Sequence, residues 1–161
     1  MRRVSFEDVN CSIAQYLEVV GEWWTPLILR DAFFGVSRFD DFQERLGIAR
    51  NVLAQRLDHL LAHGVLDRVP YQEHPVRYDY RLTDKGRDLW QVLTAMRQWG
   101  DRWATPPAGP PVELVHETCG HVAEAVPACS QCGATLRLGE VRIVAGPGAA
   151  DGRTLPSAER I

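Results

Sequence analysis

The sequence predicts a mainly α-helical fold with a small β-hairpin, followed by a small C-terminal β unit. In the middle of the chain the apolar spacing is helical, with Phe39, Phe42 and Leu46 on one face. A second, leucine-lined helix follows Gly47, and beyond Gly64 apolar and polar residues alternate, as they do in a half-buried strand. Helix, tight turn, helix and hairpin, in this order, define a winged helix-turn-helix.

Two helices are predicted before this region. Residues 11–20 have apolar side chains at i, i+3, i+4 and i+7, which indicates an amphipathic helix. The apolar stretch that follows is a second helix, with Thr25 as its cap and Pro26 at its first position, where the missing N–H costs nothing. Trp23 and Trp24 are expected to pack in or near the core.

The helix-turn-helix itself has recognisable limits. Ser37 is expected to cap its first helix, with Asp40 at the third helical position, where a carboxylate can bond back to the cap. The second helix runs over residues 50–63 and ends before a glycine that tolerates a left-handed backbone. Its buried stripe comprises Leu53, Leu57, Leu60 and Leu61. Residues 65–71 and 76–82 are expected to pair as the hairpin, or wing.

A long final helix is predicted over residues 84–103, with Thr83 as its cap. Its apolar stripe comprises Leu89, Val92, Leu93, Met96, Trp99, Gly100 and Trp103. Such a wide stripe exceeds what one small domain needs, and sustained apolar surface on a helix indicates a partner. We expect that partner to be a second copy of the chain across a two-fold axis. The alternative is that the helix folds back onto its own domain.

Composition shifts divide the chain into four parts. Residues 1–104 hold the winged helix-turn-helix and the flanking helices. Residues 105–112 are proline-rich and predict a semi-rigid linker. Residues 113–145 contain short alternating segments and predict a zinc-ribbon-like unit, whereas residues 146–161 are rich in Gly, Ala and Pro and predict a disordered tail.

Two short motifs in the C-terminal unit predict a structural Zn²⁺ site. His116 and Cys119 form one pair, Cys129 and Cys132 form another, and a glycine follows each pair, as in zinc knuckles. Four such ligands fit tetrahedral Zn²⁺, and a unit of about 30 residues can hardly bury enough core without such a staple. His121 competes with His116 as the fourth ligand. The alternative is three reduced thiols and a surface histidine with no metal.

Composition and charge limit the classes of protein. An apolar content of 45% with 24% charged residues is typical of a soluble globular protein with a real core. Without a signal peptide or an apolar run of about 18 residues, a cytoplasmic protein is expected, with reduced or metal-bound cysteines. Residues 1–105 carry 14 Lys and Arg against 15 Asp and Glu, which argues against a non-specific nucleic-acid binder.

Local placement of charge nevertheless favours DNA binding. The predicted DNA surface comprises Arg38, Arg50, Asn51, Gln55, Arg56, His59 and Arg77. Asn51, Gln55 and Arg56 are expected to read base edges in the major groove, because amide and guanidinium groups match adenine and guanine bidentately. The remaining three arginines are expected to hold phosphates, which orient a protein on the duplex without reading sequence.

Several segments together carry a resemblance to a known family. They include Gly21-Glu22-Trp23-Trp24-Thr25, Gly64-Val65-Leu66 and Tyr80-Arg81-Leu82-Thr83. Over about residues 11–103 the chain closely resembles the HxlR-type bacterial transcriptional regulators. The resemblance implies a winged helix-turn-helix homodimer that represses or activates nearby genes and dimerises through its N- and C-terminal helices.

Other readings of the chain stay open. Cys11 opens the first helix, where amide groups favour a thiolate, and the resemblance implies that some members sense oxidants or electrophiles through such a cysteine. A small core residue is the alternative for this position. No phosphate loop, nucleophile–base context or catalytic carboxylate pair indicates an enzyme. A protein-interaction module that does not bind DNA is the remaining rival, and a small-molecule effector is unknown.

Overall fold

The computed structural model describes residues 5–104 and 107–149, and helices predominate within these ranges. The chain divides into two units, Met1–Arg97 and Gln98–Ile161. Two positions of the predicted linker and most of the predicted disordered tail lie outside the described residues. None of the helices in the described ranges has the length and hydropathy that crossing a bilayer requires.

The order of elements confirms a mainly helical fold with one hairpin. The helices are α1 (Ser12–Val20), α2 (Thr25–Phe33), α3 (Phe39–Leu46), α4 (Arg50–Ala62) and α5 (Asp84–Trp103). The strands are β1 (Leu66–Glu73), β2 (Val76–Leu82), β3 (Val115–His116) and β4 (His121–Val122). β1 and β2 pair antiparallel to form the wing, and β3 and β4 form a short second pair in the C-terminal unit.

The core of the first unit lies beneath the helix-turn-helix. Leu53, Leu57 and Leu60 of α4 are fully buried, as the predicted stripe requires. They belong to one apolar cluster with Ile28 and Leu29 of α2 and with Phe42 of α3, so α2 contributes to the centre of the core. Burying each such side chain stabilises the fold by about 1.5–3 kcal/mol. Gly64 ends the region of α4 with φ of 64°.

One predicted helix cap is confirmed and two are wrong. The Thr83 hydroxyl accepts a hydrogen bond of 3.0 Å from a backbone N–H in the first turn of α5. Ser37 does not cap α3: the residue at its N-cap is Arg38. The Ser37 hydroxyl donates to the Asp79 carboxylate at 3.0 Å. Thr25 is the first residue of α2, and its buried hydroxyl has no hydrogen-bond partner among the described residues.

The tryptophans do not all pack as the sequence predicts. Trp24 packs against the core, but Trp23 is 92% exposed, because the two adjacent side chains of this turn point in different directions. Along α5, Leu93 packs against the core, whereas Trp99 and Trp103 are 65% and 70% exposed. The first part of α5 therefore folds onto its own unit, and the later part carries exposed aromatic surface.

Candidate nucleic-acid interface

The buried carboxylate of Asp31 links the helix-turn-helix to α2. Asp31 is fully buried in α2 and accepts hydrogen bonds from Arg30 at 2.9 Å and from Arg45 of α3 at 3.2 Å. A buried charge is tolerated only when it is paired and hydrogen-bonded, and both conditions are met here. The ion pair with Arg45 fixes α3 against α2, and α4 follows α3 after the Gly47 turn.

Helix α4 has one buried and one exposed face. Opposite the leucine stripe, Asn51, Gln55 and Asp58 are exposed at i, i+4 and i+7, so they lie along one line of the helix. The amide side chains occupy the N-terminal half of this line, and the acidic side chain lies beyond them. A face of this kind can present two amide groups to base edges in a major groove.

Two further α4 residues of the predicted DNA surface, Arg56 and His59, contact other parts of the same unit. Arg56 is only 21% exposed and forms an ion pair of 3.3 Å with Glu22, in the turn after α1. The His59 ring lies 3.2 Å and 3.1 Å from the carbonyl oxygens of Glu18 and Val19. Both contacts tie α4 to the α1 end of the unit. Both side chains therefore have partners within their own unit, and their predicted contacts with DNA stay a prediction.

The three other arginines of the predicted surface surround one groove. It has a volume of about 480 Å³ and lies between α3, the start of α4 and the wing. Its charged lining consists of Arg38, Arg50, Arg77, Asp40 and Asp41. The Arg38 guanidinium stacks over Tyr71 and that of Arg50 over Phe39, each 4.6 Å from the ring centroid. Their side chains are 57% and 70% exposed, so both remain accessible to a phosphate.

Sequence reasoning missed the aromatic partners of these cations. Arg68 stacks over Tyr78 at 4.5 Å across the hairpin, beside the groove-lining Tyr71. Pro70 pairs with Tyr78 in the observed register, so Arg68 and Tyr78 are diagonal neighbours. The signal that could have found this pair is the predicted pairing of residues 65–71 with 76–82, which brings Arg68 of one strand close to the tyrosines of the other.

The carboxylate of Asp79 fastens the wing to the start of α3. It accepts hydrogen bonds from Ser37 at 3.0 Å and Arg81 at 3.1 Å, and Arg38 lies 3.9 Å away. The backbone N–H of Tyr80 also donates to the Ser37 carbonyl at 2.7 Å. Burial alone would raise the pKa of Asp79, but the hydrogen bonds from Arg81 and Ser37 and the two positive charges outweigh it, so the pKa is lowered.

Replacing Asp79 with Asn is expected to loosen this attachment at neutral pH. We expect the free energy of unfolding to fall by about 1–3 kcal/mol, as for other hydrogen bonds to a charged group. Because the folded pKa is depressed, the ionised carboxylate stabilises the fold above the ordinary Asp pKa, and this stability is lost as pH falls through the folded value. Urea unfolding between neutral and acidic pH should therefore show the difference from wild type shrinking below about pH 4.

The matched control is Glu73→Gln, which neutralises an exposed carboxylate of the same hairpin. Its free energy of unfolding should stay within about 0.5 kcal/mol of wild type. An equal effect of both substitutions would contradict a specific role for Asp79.

The predicted metal ligands form two local pairs. The His116 Nδ1 and Cys119 Sγ atoms lie 3.4 Å apart. Backbone N–H groups of Cys132 and Gln131, in that order of strength, lower the pKa of Cys129. Among the described residues no group of three or more potential ligands lies together, so the four predicted ligands are brought together only two by two. All cysteines of the chain are free thiols.

Cys11 is exposed at the N-cap of α1 and borders an open groove with Gln15. The alternative in which Cys11 is a small core residue is therefore wrong. Its backbone carbonyl accepts a hydrogen bond from the N–H of Gln15 at 3.0 Å, in the first turn of the helix. An exposed thiol at this position is accessible to solutes.

A leucine-backed helix with an exposed amide face, a tight turn before it and an arginine-lined wing beside it define a winged helix-turn-helix DNA-binding protein. A family model for the HxlR-like helix-turn-helix matches residues 19–107, and the chain belongs to this family of transcriptional regulators. The uncharacterised HTH-type transcriptional regulator Rv3095 of Mycobacterium tuberculosis is 47% identical over 137 residues, which cover 85% of this chain and 87% of that relative.

Solved structures have the same fold. PA1607, described as a proposed transcription factor, matches with a TM-score of 0.77 and 39% identity, over 88% of this chain and 99% of that one. The reduced form of the redox regulator HypR matches with a TM-score of 0.54 and 28% identity, over 57% of this chain and 92% of that one. The likeness to PA1607 extends beyond the winged helix-turn-helix, whereas that to HypR covers a shorter part of the chain.

Proposed function

We propose that this protein regulates transcription as a homodimer that binds a specific operator, with α4 in the major groove and the wing along the backbone. The observation that carries the proposal is the exposed Asn51–Gln55 line of α4 beside the arginine-lined groove. An α-helix fits the major groove, where each base pair presents a distinct pattern of donors and acceptors. The family membership supports the same function.

The amide side chains of α4 and the arginines of the groove have different roles in this proposal. Asn51 and Gln55 carry amide groups that can bond adenine bidentately, so they supply sequence preference. Arg38, Arg50 and Arg77 surround the groove below the wing and bind phosphates, which adds affinity at every sequence. The exposed acidic side chain of α4 lies beyond the amides, where it would repel a phosphate that approached the wrong half of the helix.

Exposed apolar side chains on two helices support the homodimer. Ile13 of α1 is 71% exposed, and Trp99 and Trp103 of α5 are similarly open to solvent. Apolar surface of this kind is typical of protein–protein contacts, and a two-fold dimer buries it symmetrically. Such a dimer would place its two α4 helices in successive major grooves, about 34 Å apart, and bind a two-fold symmetric operator.

Alanine at Asn51 or Gln55 is expected to weaken operator binding by about 1–3 kcal/mol and to relax the preference at one base pair per half-site. The operator is first selected from random duplexes, and affinities are then measured by gel shift against single-base variants of it. Each substitution should lower specific affinity much more than affinity for unrelated DNA.

The comparison variant is Arg56→Ala, on the same helix. Because Arg56 pairs with Glu22 and is largely buried, its loss should lower the free energy of unfolding and leave the ranking of DNA sequences unchanged. If instead Arg56→Ala alters the ranking and the amide variants do not, the assignment of base contacts is wrong. If wild type selects no sequence at all, a protein-interaction module replaces the DNA-binding proposal.

Thiol control of the regulator is the second candidate. It is favoured by the exposed thiol of Cys11 at the start of α1 and by the structural likeness to the redox regulator HypR. The thiolate is the reactive form of cysteine, and an exposed thiol is accessible to oxidants. In the same gel-shift assay, a thiol oxidant should change the affinity of wild type and leave that of Cys11→Ser unchanged. Equal responses of both proteins would exclude Cys11 as the sensor.

A further inference from the structure

Two turns of the C-terminal unit have the same backbone conformation. Gly120 and Gly133 have φ of 71° and 74°, and each follows a pair of potential metal ligands separated by two residues. The N–H of each glycine donates to the carbonyl oxygen of the first residue of its pair, His116 or Cys129, at 2.8 Å. Because positive φ is unfavourable for other residues, both sequences are adapted to this one turn.

The side chains of the first pair are arranged as neighbouring ligands of one ion. The Nδ1 atom of His116 and the Sγ atom of Cys119 lie 3.4 Å apart. On a tetrahedral Zn²⁺ with bonds of about 2.3 Å to sulfur and 2.0 Å to nitrogen, adjacent ligand atoms lie about 3.5 Å apart. In the other turn, the N–H groups of Gln131 and Cys132 point at the sulfur of Cys129, the kind of outer hydrogen bond that orients metal ligands.

The unit around these turns has no core of its own. Among its described residues, 98–104 and 107–149, no side chain is buried, and Val122, Leu138 and Ile143 are 59%, 80% and 55% exposed. The cysteines are free, so no disulfide stabilises the unit either. A unit of this size without a core or a covalent cross-link requires another source of stability, such as a bound metal ion.

We propose that the C-terminal unit binds one Zn²⁺ per chain through Cys119, Cys129, Cys132 and a histidine, and that the ion joins the two turns. Zn²⁺ is the divalent ion that thiolate and imidazole ligands favour in tetrahedral number. In this proposal each turn supplies half of the site. No three potential ligands lie together in the described ranges, so binding requires the two turns to move together around the ion.

Two histidines can supply the fourth ligand. His116 and His121 lie opposite each other in the β3–β4 pair. Directly opposite residues of an antiparallel pair share a face, so both rings are close to the first turn. His116 is the assigned ligand, because its spacing to Cys119 equals that between Cys129 and Cys132 and because its ring already contacts the Cys119 sulfur.

Titration of the metal-free, reduced full-length chain with Co²⁺ tests the site. We expect one Co²⁺ per chain with the intense visible absorption of tetrahedral thiolate coordination, and displacement of Co²⁺ by Zn²⁺. Cys129→Ser and His116→Ala should lose this absorption, whereas His121→Ala should keep it. Cys11→Ser is the matched thiol control and should retain the full signal, since Cys11 lies in the first unit.

Circular dichroism separates a lost site from a misfolded chain, because the described helices up to Arg97 lie in the other unit and should persist in Cys129→Ser. Weak absorption typical of octahedral oxygen ligands, or undiminished absorption in Cys129→Ser, would overturn the site. If His121→Ala loses the signal and His116→Ala keeps it, the histidine assignment is overturned. DNA binding is measured separately, so failure of the metal site leaves the proposed regulator unaffected.

Discussion

Alanine at Gly86 should destabilise the first unit strongly, although alanine stabilises most helix interiors relative to glycine. Gly86 lies in the first turn of α5, where a Cβ atom would overlap the backbone carbonyl of Val65 and lie 3.0 Å from the Cδ2 atom of Leu82. A backbone carbonyl cannot rotate away as a flexible side chain can. The start of α5 would therefore have to move away from the junction between α4 and β1.

That movement would break the contacts that hold α5 in place. The Val65 carbonyl accepts a hydrogen bond of 3.1 Å from the N–H of Thr83, and the Thr83 hydroxyl donates to the Gly64 carbonyl at 2.7 Å. Leu93 on the same helix packs against the core. We expect a loss of about 3 kcal/mol in the free energy of unfolding, because overpacking alone costs about 1–3 kcal/mol and the cap is lost with it.

Gly100→Ala in the same helix is the matched control. Outside its own helix backbone and chain neighbours, a Cβ atom at Gly100 would meet no atom of the same chain within 4 Å. At protein concentrations low enough to keep the chain monomeric, helix propensity alone should therefore act and stabilise the chain by up to about 1 kcal/mol. Urea unfolding followed by far-UV circular dichroism measures both variants against wild type. Opposite signs are expected, and an unchanged or increased stability for Gly86→Ala would contradict the close packing at the start of α5.

Periodicity was sufficient to predict the order of the helices and the wing. The Leu53, Leu57 and Leu60 spacing fixes both the face of α4 and its approximate length, and a left-handed glycine fixes its end. These are local properties of the chain. The cap at Thr83 could be predicted for the same reason, since the hydroxyl and the N–H that it accepts from are three residues apart.

Sequence periodicity does not show contacts that depend on a distant element. Arg56 and His59 lie at the border between the two faces of α4, and only the position of the α1 end determines that this border is covered. Ser37 fails as a cap because Asp79, 42 positions further on, competes for its hydroxyl. Sequence spacing predicts neither the covering of Arg56 and His59 nor the bond from Ser37 to Asp79, because both depend on how distant elements pack together.

In the candidate site, the sequence predicts single residues but not how they are arranged. Arg38, Arg50 and Arg77 could be chosen as phosphate contacts one by one, but their convergence on one groove depends on how the hairpin lies against α3. That docking is set by the bond between Ser37 and Asp79 and by the Tyr80 N–H to the Ser37 carbonyl. The groove is therefore a tertiary feature built from residues of ordinary local sequence.

Neutralising the three groove arginines together should cause the largest loss of DNA affinity. In the triple variant with Gln at Arg38, Arg50 and Arg77, the proposed homodimer loses six phosphate contacts, three in each chain. At about 0.9 per contact, the slope of log K against log salt should become shallower by about 5.4 in total. Affinity should fall by a similar factor at the operator and at unrelated DNA, because phosphate contacts carry no sequence information. Gel shifts over a series of salt concentrations measure both quantities.

The fold should survive these substitutions. Arg38 and Arg50 are more than half exposed and their carboxylate partners lie 3.9 Å and 3.4 Å away, so each ion pair contributes at most about 1 kcal/mol. Arg87→Gln is the control for a single change of charge, since Arg87 lies exposed on α5 and pairs with Asp84 outside the groove. Its salt slope should equal that of wild type.

The salt slope is a sharp test here because the first part of the chain is nearly neutral. With 14 Lys and Arg against 15 Asp and Glu in residues 1–105, there is no general positive field that could attract DNA without defined contacts. A slope that falls with each groove arginine but not with Arg87 therefore reports contacts at the groove itself. A slope that is unchanged in the triple variant would mean that the wing does not lie on the DNA backbone, and the orientation of α4 in the major groove would fail with it.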